Sequence, residues 1–404
     1  MFHGEVAPGF EAVRDEFARN FRERRELGAA VAAYHRGEKV VDLWGGYRDR
    51  QRETPWDRDT MVLVFSTSKG LAAMCIALAH SRGLIDYDER VATYWPEFAQ
   101  NAKERVTVRQ LLGHEAGLCA IDERLSSRNL GDFEEVDRIL AAQAPVWSPG
   151  TRHGYHALSI GWYEAALLRR VDPQQRSLGR LFAEEIARPL ALEFYFGLPG
   201  DVPPSRVAKI HAPTPATIAR EVRHVPPGMR RAFLDRGSLT ARVFANPRLR
   251  SAATLDSTRY RALEIPAGGG IGQVRSIARA YSDLATGGHE IGVSEATLAE
   301  LKAPAKAPSG GNVDLVLHVP TMFSLGYAKP SEVAPFGSGP SAFGHPGAGG
   351  SFAFADPDRQ VAFAYAMNRM GLHLFDDPRE KALRDAVYEC VAARESTAAP
   401  SSTG

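Results

Sequence analysis

The chain has 404 residues, of which 44% are hydrophobic and 24% are charged, and its formal net charge at pH 7 is +1. This is the composition of a soluble globular protein with a large core and two or three units of ordinary domain size. The near-neutral balance gives no electrostatic reason to expect nucleic acid or an anionic membrane as a partner. No stretch approaches the roughly 20 apolar residues that span a bilayer, so no membrane insertion is expected.

Strands are predicted at both ends of the chain and helices between them, from hydrophobic periodicity and turn residues. In chain order these are a helix within residues 9–27, a hairpin with strands at 28–35 and 39–44, helical patterns from 66 to about 263, helices at 274–284 and 294–302, several strands, and a last helix from 378 to about 393.

This order predicts a discontinuous α/β domain, residues 1–65 with 265–397, and a mostly helical subdomain, residues 66–264, inserted between its halves. Within the insert, residues 211–262 are irregular and rich in arginine and proline. They predict either a solvated surface excursion or a lid over a substrate pocket. Residues 398–404 are polar and predict a frayed tail.

Residues 2–5 and the three cysteines of the chain indicate the cellular compartment in which the protein is expected. Residues 2–5 lack the basic-then-apolar pattern of a signal peptide. Cys75, Cys119 and Cys390 are odd in number and far apart, which is typical of reduced thiols, and they have no zinc-site spacing. The sequence therefore predicts a cytoplasmic protein.

Ser66 and Lys69 stand three residues apart at the predicted start of an Ala- and Leu-rich helix. Three residues is nearly one helical turn, so both side chains share a face. A partly desolvated lysine can take the proton of a serine hydroxyl, and free N–H groups at a helix start favour a developing negative charge. The pattern is the S-x-x-K of serine acyl-transfer enzymes, although a serine there can also simply cap a core helix.

Two later segments carry groups that would complete such a site. Tyr155 follows a Pro-Gly turn and precedes a predicted helix at 158–170. His345-Pro346-Gly347 precedes a predicted antiparallel hairpin that turns at Asp356-Pro357-Asp358. Glycines there let backbone approach a reacting group, as an oxyanion hole requires. The structural alternatives are a half-buried tyrosine and an ordinary Gly-rich turn.

In order and spacing the three segments resemble the penicillin-recognising serine hydrolases, most closely the class C β-lactamase-like esterases called family VIII carboxylesterases. Ser66 to Lys69 matches the first motif, Tyr155 is the centre of the second, and His345-Pro346-Gly347 replaces the Lys-Thr-Gly of the third. The resemblance covers about residues 10–392. It implies a β-lactamase/transpeptidase-like fold of α/β (α+β) class, with an antiparallel sheet flanked by helices and an inserted helical subdomain.

The resemblance also implies roles for these residues. Ser66 would be the nucleophile, with Lys69 and Tyr155 as base and acid and a hydrogen bond between those two. Which of the two is the base stays open, and no metal or organic cofactor is implied. The oxyanion and substrate-binding positions that the resemblance implies are Ser66, His345, Gly347 and Ala348, the last on the strand of the third motif.

Departures from the family's pattern indicate the substrate. Ala157 stands where β-lactamases carry an asparagine amide, and Pro346 offers neither a hydroxyl nor an N–H. His345 is cationic only if its pKa permits, and it would orient Tyr155 or the substrate. A site without partners for a charged group rejects that group, so the sequence predicts a serine esterase for small, uncharged carboxylic esters.

Two other readings stay open. One is a β-lactamase, D-amino-acid peptidase or transacylase of the same superfamily; the other is a non-catalytic scaffold or binding protein, which would not need Ser66, Lys69 and Tyr155 together. His153 and His156 lack a third metal ligand at suitable spacing and are expected to pack around Tyr155. The one partner that the sequence implies is a small-molecule ester, and the oligomeric state has no signal in it.

Overall fold

A computed structural model describes residues 2–126, 129–247 and 251–398, and an antiparallel sheet from both ends of the chain dominates it. The strands are β1 (Phe2–Val6), β2 (Gly28–His35), β3 (Glu38–Gly46), β4 (Val62–Leu63), β5 (Phe194–Phe196), β6 (Gly270–Gly272), β7 (Phe323–Ser324), β8 (Tyr327–Ala328), β9 (Phe343–Pro346), β10 (Phe352–Asp356) and β11 (Val361–Met367). Eight of them pair in the order β1-β3-β2-β11-β10-β9-β8-β7, and β4-β6-β5 form a small second sheet.

The helices of the described residues fall mainly between β4 and β7, with one before β2 and one after β11. None of them is both long and apolar enough to cross a membrane. They are α1 (Glu11–Glu23), α2 (Ser68–Ser81), α3 (Val91–Tyr94), α4 (Val108–Leu112), α5 (Phe133–Ala142), α6 (Ser159–Val171), α7 (Leu178–Phe182), α8 (Pro215–Glu221), α9 (Pro227–Leu234), α10 (Leu239–Ala245), α11 (Ala252–Leu255), α12 (Thr258–Arg261), α13 (Val274–Ala285), α14 (Glu295–Lys302) and α15 (Pro378–Ala398).

The alternation of side-chain size along β11 shows how the large sheet is packed. Successive residues of a strand point to opposite faces. Large side chains meet α1 and α15 on one face, and alanines on the other face let α13 pack closely. The large residues are Val361, Phe363, Tyr365 and Met367, and the alanines are Ala362, Ala364 and Ala366.

The predicted fold class is confirmed, and two local predictions differ from the structure. Strand β1 was not predicted, because its five residues alternate between half-buried and exposed and include Gly4. Residues 211–262 were predicted to be irregular but form the short helices α8 to α12, which are too brief to produce a periodic pattern. Thr214 and Ser238 start two of these helices by accepting a backbone hydrogen bond.

The predicted division into residues 1–65 with 265–397 and residues 66–264 stays a prediction. The predicted tail, residues 398–404, lies outside the described residues apart from Ala398, the last residue of α15.

Candidate active site

Ser66 lies on a tight turn between the small sheet and α2. The chain leaves β4, passes through Phe65 with a φ of 51°, makes the 3₁₀ turn Phe65–Thr67 and enters α2 at Ser68. A bulky residue with positive φ is a local strain that the surrounding structure must hold, and such strain clusters at functional sites. Ser66 in this turn is half-buried, while Lys69 in the first turn of α2 is completely buried.

The hydroxyl of Ser66 lies between two proton-carrying groups. The Tyr155 phenol donates a hydrogen bond of 2.7 Å to Ser66 Oγ, and Lys69 Nζ lies 3.0 Å from the same oxygen. The predicted hydrogen bond between Lys69 and Tyr155 is wrong, because Ser66 Oγ occupies the position between them. Lys69 Nζ bonds instead to the carbonyl oxygens of Ala157 at 2.7 Å and Ala267 at 2.8 Å.

Burial shifts the pKa values of Lys69 and Tyr155 in opposite directions. Desolvation lowers the pKa of Lys69 to about 7, against the opposing charge of Glu164. Desolvation raises the pKa of Tyr155 above its usual range, although the hydrogen bond with Ser66 opposes this shift. A neutral Lys69 amine would donate its two protons to the two carbonyls and keep its lone pair for the Ser66 hydroxyl. The arrangement suits Lys69 as the base and Tyr155 as the proton donor.

Contacts around Tyr155 fix the phenol in place. Its backbone N–H donates to Asp314 Oδ1 at 3.2 Å, and the same oxygen accepts two further backbone N–H groups. The Tyr155 ring packs against both Phe323 and His345, with centroids 5.8 Å from each, and these two rings lie 6.2 Å from each other. Another ring, His114, lies 5.5 Å from Tyr155. This aromatic packing and the carboxylate fix both ends of the residue.

His345 lies in β9 beside Tyr155, as the sequence predicted, but it is not a cation. Its side chain is only 2% exposed, and desolvation together with the charge of Lys69 holds its pKa well below the usual range. Its Nδ1 lies 2.7 Å from the carbonyl oxygen of Pro346, so that nitrogen carries the proton of the neutral ring. His345 therefore offers a flat, neutral wall to the site.

The turn after β9 is tied to the turn that carries Ser66. Ser351 Oγ donates to the carbonyl oxygen of Val64 at 2.9 Å and accepts from Thr67 at 3.0 Å. Gly347 fits between them closely, since a Cβ there would lie 2.5 Å from the Val64 carbonyl oxygen. Ala348 is exposed in the turn that follows β9, which corrects its predicted place on the strand.

Tyr155 lies in a cluster of apolar side chains, and residues 211–262 contribute two members of this cluster. Ala157 and Phe323 belong to this cluster, together with Met229 of α9 and Val243 of α10. A small, mostly apolar cavity lies beside the third motif and is lined in part by Pro346, Gly347, Leu374 and Phe375.

His153 and His156 are held by protein hydrogen bonds. His156 Nε2 accepts the N–H of Leu118 at 3.2 Å and its Nδ1 lies 2.8 Å from the carbonyl of Gly154. His153 Nε2 lies 2.8 Å from Thr321 Oγ1. His153 and His156 were expected to pack around Tyr155, but the histidine rings against the tyrosine are His114 and His345. His156 packs behind His114, and His153 packs against Phe323. Among residues 2–126, 129–247 and 251–398 no group of three or more His, Cys, Asp or Glu side chains is arranged to hold a metal.

Sequence reasoning missed several residues that hold the site. Asp314 and Ser351 act through contacts with parts of the chain that are distant in sequence. Glu164 does have a signal in the sequence: it is the one acidic residue of α6, and its neighbours Tyr163 and Ala165 are buried. A lone acid within an apolar helical run indicates either a buried partner or a function.

The chain belongs to the Beta-lactamase family, whose pattern it matches over residues 15–388, and it is a serine hydrolase of this superfamily. It is 38% identical to a family VIII carboxylesterase of known crystal structure, with a TM-score of 0.84 over 96% of this chain and all of that one. A penicillin-binding protein homologue from Caulobacter crescentus is 34% identical, with a TM-score of 0.82, and covers 96% of this chain and 100% of its own.

A relative of similar length is known from Mycobacterium tuberculosis. The protein named esterase/beta-lactamase LipL is 35% identical over 368 residues, which are 91% of this chain and 83% of the relative.

Proposed function

We propose that this protein is a carboxylesterase that hydrolyses small, uncharged esters through an acyl-enzyme on Ser66. The observation that carries the proposal is the position of Ser66 Oγ, 2.7 Å from the Tyr155 phenol and 3.0 Å from the Lys69 amine. A serine hydroxyl becomes a useful nucleophile when a positioned base accepts its proton. The names of the similar proteins, a family VIII carboxylesterase and an esterase/beta-lactamase, support the same chemistry.

Acylation begins with attack of Ser66 Oγ on the ester carbonyl carbon, while its proton passes to the lone pair of Lys69. The oxyanion is stabilised by the backbone N–H groups of Ser66 and Ala348. The hydrogen bonds of Ser351 to Thr67 and Val64 join the two turns that carry these N–H groups. When the bond to the alcohol breaks, the Tyr155 phenol gives its proton to the departing alkoxide. The site then holds an acyl ester on Ser66, a Lys69 ammonium and a Tyr155 phenolate.

Deacylation restores each proton. Water attacks the acyl carbon and gives one proton to the Tyr155 phenolate; the bond to Ser66 Oγ then breaks, and that oxygen takes the Lys69 proton. The ammonium lies 4.8 Å from the centre of the Tyr155 ring and offsets the phenolate charge while both exist. The products are a carboxylic acid and the original site, and the cycle requires no other reactant.

The surroundings of Ser66 favour uncharged substrates. His345 is neutral because it is buried, and neither Ala157 nor Pro346 presents a side-chain donor. A substrate carboxylate, as in a β-lactam, would lose its hydration without gaining the partners that those positions supply in β-lactamases. An apolar acyl or alcohol group would instead lie against the cluster that contains Phe323 and Met229.

Turnover of p-nitrophenyl acetate, butyrate and octanoate, measured beside nitrocefin for wild type and Ser66→Ala, tests the proposal. We expect ester hydrolysis that Ser66→Ala abolishes and nitrocefin turnover at least about tenfold slower. Nitrocefin cleaved as fast as the esters would contradict the substrate class, and ester hydrolysis that survives in Ser66→Ala would contradict the nucleophile.

A further inference from the structure

A carboxyl group is buried inside the protein behind the catalytic lysine. Glu164 in α6 has no exposed surface, and within the described residues neither of its carboxyl oxygens has a hydrogen-bond partner. A buried polar group without a partner is costly, and a buried charge without one is costlier still. A feature of this kind indicates a role that outweighs its cost.

Packing places this carboxyl against the face of α2 that carries Lys69. A Cβ on Gly326 would lie 3.0 Å from Glu164 Oε1 and 2.7 Å from the Cβ of Ala73, so these three residues meet. Ala73 comes four residues after Lys69 and therefore lies on the same face of α2, one turn further along. Glu164 therefore lies against α2 about one helical turn from Lys69.

The other titratable groups of this region stay neutral near pH 7. Cys75 of α2, Tyr327 of β8 and Tyr281 of α13 face the carboxyl or each other, and burial raises the pKa of each above its usual range.

Three histidines face Lys69, and burial lowers the pKa of each far enough to leave it uncharged. They are His114, His156 and His345. Among the titratable side chains named in this region, Lys69 and Glu164 are therefore the two whose charge changes near neutral pH.

We propose that Glu164 is a positioning residue that sets the protonation of Lys69 from behind, and so fixes the pH at which Ser66 becomes a nucleophile. This inference rests on the proposed roles of Ser66 and Lys69. A carboxylate here stabilises the ammonium, and a protonated carboxyl leaves the amine free to act as a base. Burial raises the pKa of Glu164 to about 8 while the charge of Lys69 opposes the rise, so near neutral pH the two groups share one proton and titrate together.

The pH dependence of kcat/KM in Glu164→Gln measures this coupling. Glutamine keeps the size of the side chain but cannot carry the negative charge that favours the Lys69 ammonium. We expect the acid midpoint of the kcat/KM profile to move to lower pH by about one half to one unit. Glu264→Gln is the matched control, since Glu264 is a largely buried carboxyl that bonds to Ser177 and Gly179 instead of facing Lys69; its profile should coincide with that of wild type.

The rate at which a neutral fluorophosphonate labels Ser66, followed over the same pH range, separates this inference from the proposed function. The label reports the nucleophile even if no ester is turned over. A shifted labelling profile without ester turnover would uphold Glu164 and contradict the esterase. Ester turnover with superimposable profiles for wild type and folded Glu164→Gln would overturn the role of Glu164.

A measurement on the wild-type chain covers the case in which Glu164→Gln does not fold. The chain contains eight lysines, so the resonance of Lys69 in ¹³Cε-lysine-labelled protein can be assigned by its loss in Lys69→Met. We expect this resonance to titrate in two coupled steps on either side of neutral pH. A single step would overturn the proposal.

Discussion

The Tyr155 phenol donates to Ser66 Oγ and does not bond to Lys69, although Lys69 Nζ lies 4.8 Å from the centre of the tyrosine ring. This relationship separates two roles that the S-x-x-K and tyrosine motifs leave undivided. In the proposed mechanism the phenol keeps its proton for the leaving group, and the Lys69 amine, whose pKa is lowered, accepts the proton of Ser66.

Tyr155→Phe should lower kcat at least about a hundredfold, because the leaving alkoxide loses its proton donor. KM should change little, since the ring and its stacking partners remain. Tyr163→Phe is the matched control, because it removes a buried phenol whose bond goes to the carbonyl of Leu140. Near-wild-type turnover in Tyr155→Phe, measured with ethyl butyrate, whose departing alkoxide needs a proton, would refute the assignment.

The pH profile of the wild-type enzyme should follow the neutral form of Lys69. Desolvation lowers its pKa to about 7, so the active amine predominates above pH 7 and the ammonium below it. We expect kcat/KM to fall about tenfold per pH unit well below the midpoint. Lys69→Met should remove this dependence together with most of the activity.

Lys103→Met separates the loss of the base from the loss of a buried lysine. The Lys103 amine is also buried, but it bonds to the carbonyls of Ala141 and Gln143. This variant should lose stability and keep the wild-type pH profile at temperatures where it is folded. A profile that shifted as in Lys69→Met would argue against a specific role for Lys69.

Ser351→Ala should weaken the tie between the turn after β9 and the turn that carries Ser66. It removes the hydroxyl that bonds to Val64 and Thr67, and the expected loss in the free energy of unfolding is about 1–3 kcal/mol. At temperatures where the variant is folded, kcat should fall about tenfold because the oxyanion donors are less well held.

Urea unfolding and steady-state kinetics measure the two effects of Ser351→Ala. Ser341→Ala, whose hydroxyl bonds to Asp358 near the surface, should change the unfolding free energy by less than about 0.5 kcal/mol. Unchanged kinetics in Ser351→Ala would mean that the oxyanion hole does not depend on this tie.

Glu164 makes the stability of the protein depend on pH in a definite direction. Burial raises its pKa from 4.5 to about 8, so between these values the folded protein holds a proton that the unfolded chain has released. The contribution of Glu164 to the free energy of unfolding is therefore fully present below about pH 4.5 and is lost as the pH rises toward 8. Relative to wild type, Glu164→Gln should gain more than about 1 kcal/mol of unfolding free energy between pH 5 and pH 8. A constant difference in urea unfolding across this range would contradict the raised pKa.

Features set by neighbouring residues could be predicted from the sequence. The pairing of Ser66 with Lys69 follows from one turn of helix, and the β10–β11 hairpin follows from alternation on either side of a turn. The choice of Tyr155 and His345 depended on the order of motifs, since neither residue is distinctive by itself.

Contacts between distant parts of the chain could not be predicted. The carbonyl of Ala267 reaches Lys69 across 198 positions, and Asp314 reaches the backbone of Tyr155 across 159. Neither contact leaves a pattern in the neighbouring sequence. Every residue carries a backbone carbonyl oxygen, so the residue type does not reveal which carbonyl will bond to Lys69. The same holds for the β4-β6-β5 sheet, whose three short strands come from separate regions of the chain.

The acyl-enzyme on Ser66 is the central claim, and trapping it is the most direct test. Wild-type protein is mixed with p-nitrophenyl butyrate, quenched with acid during turnover and examined by intact-mass and peptide mass spectrometry, beside Ser66→Ala. We predict one butyryl group per chain, located on Ser66, and an unmodified, inactive Ser66→Ala protein. A butyryl group on another residue, or ester turnover by Ser66→Ala, would contradict the account.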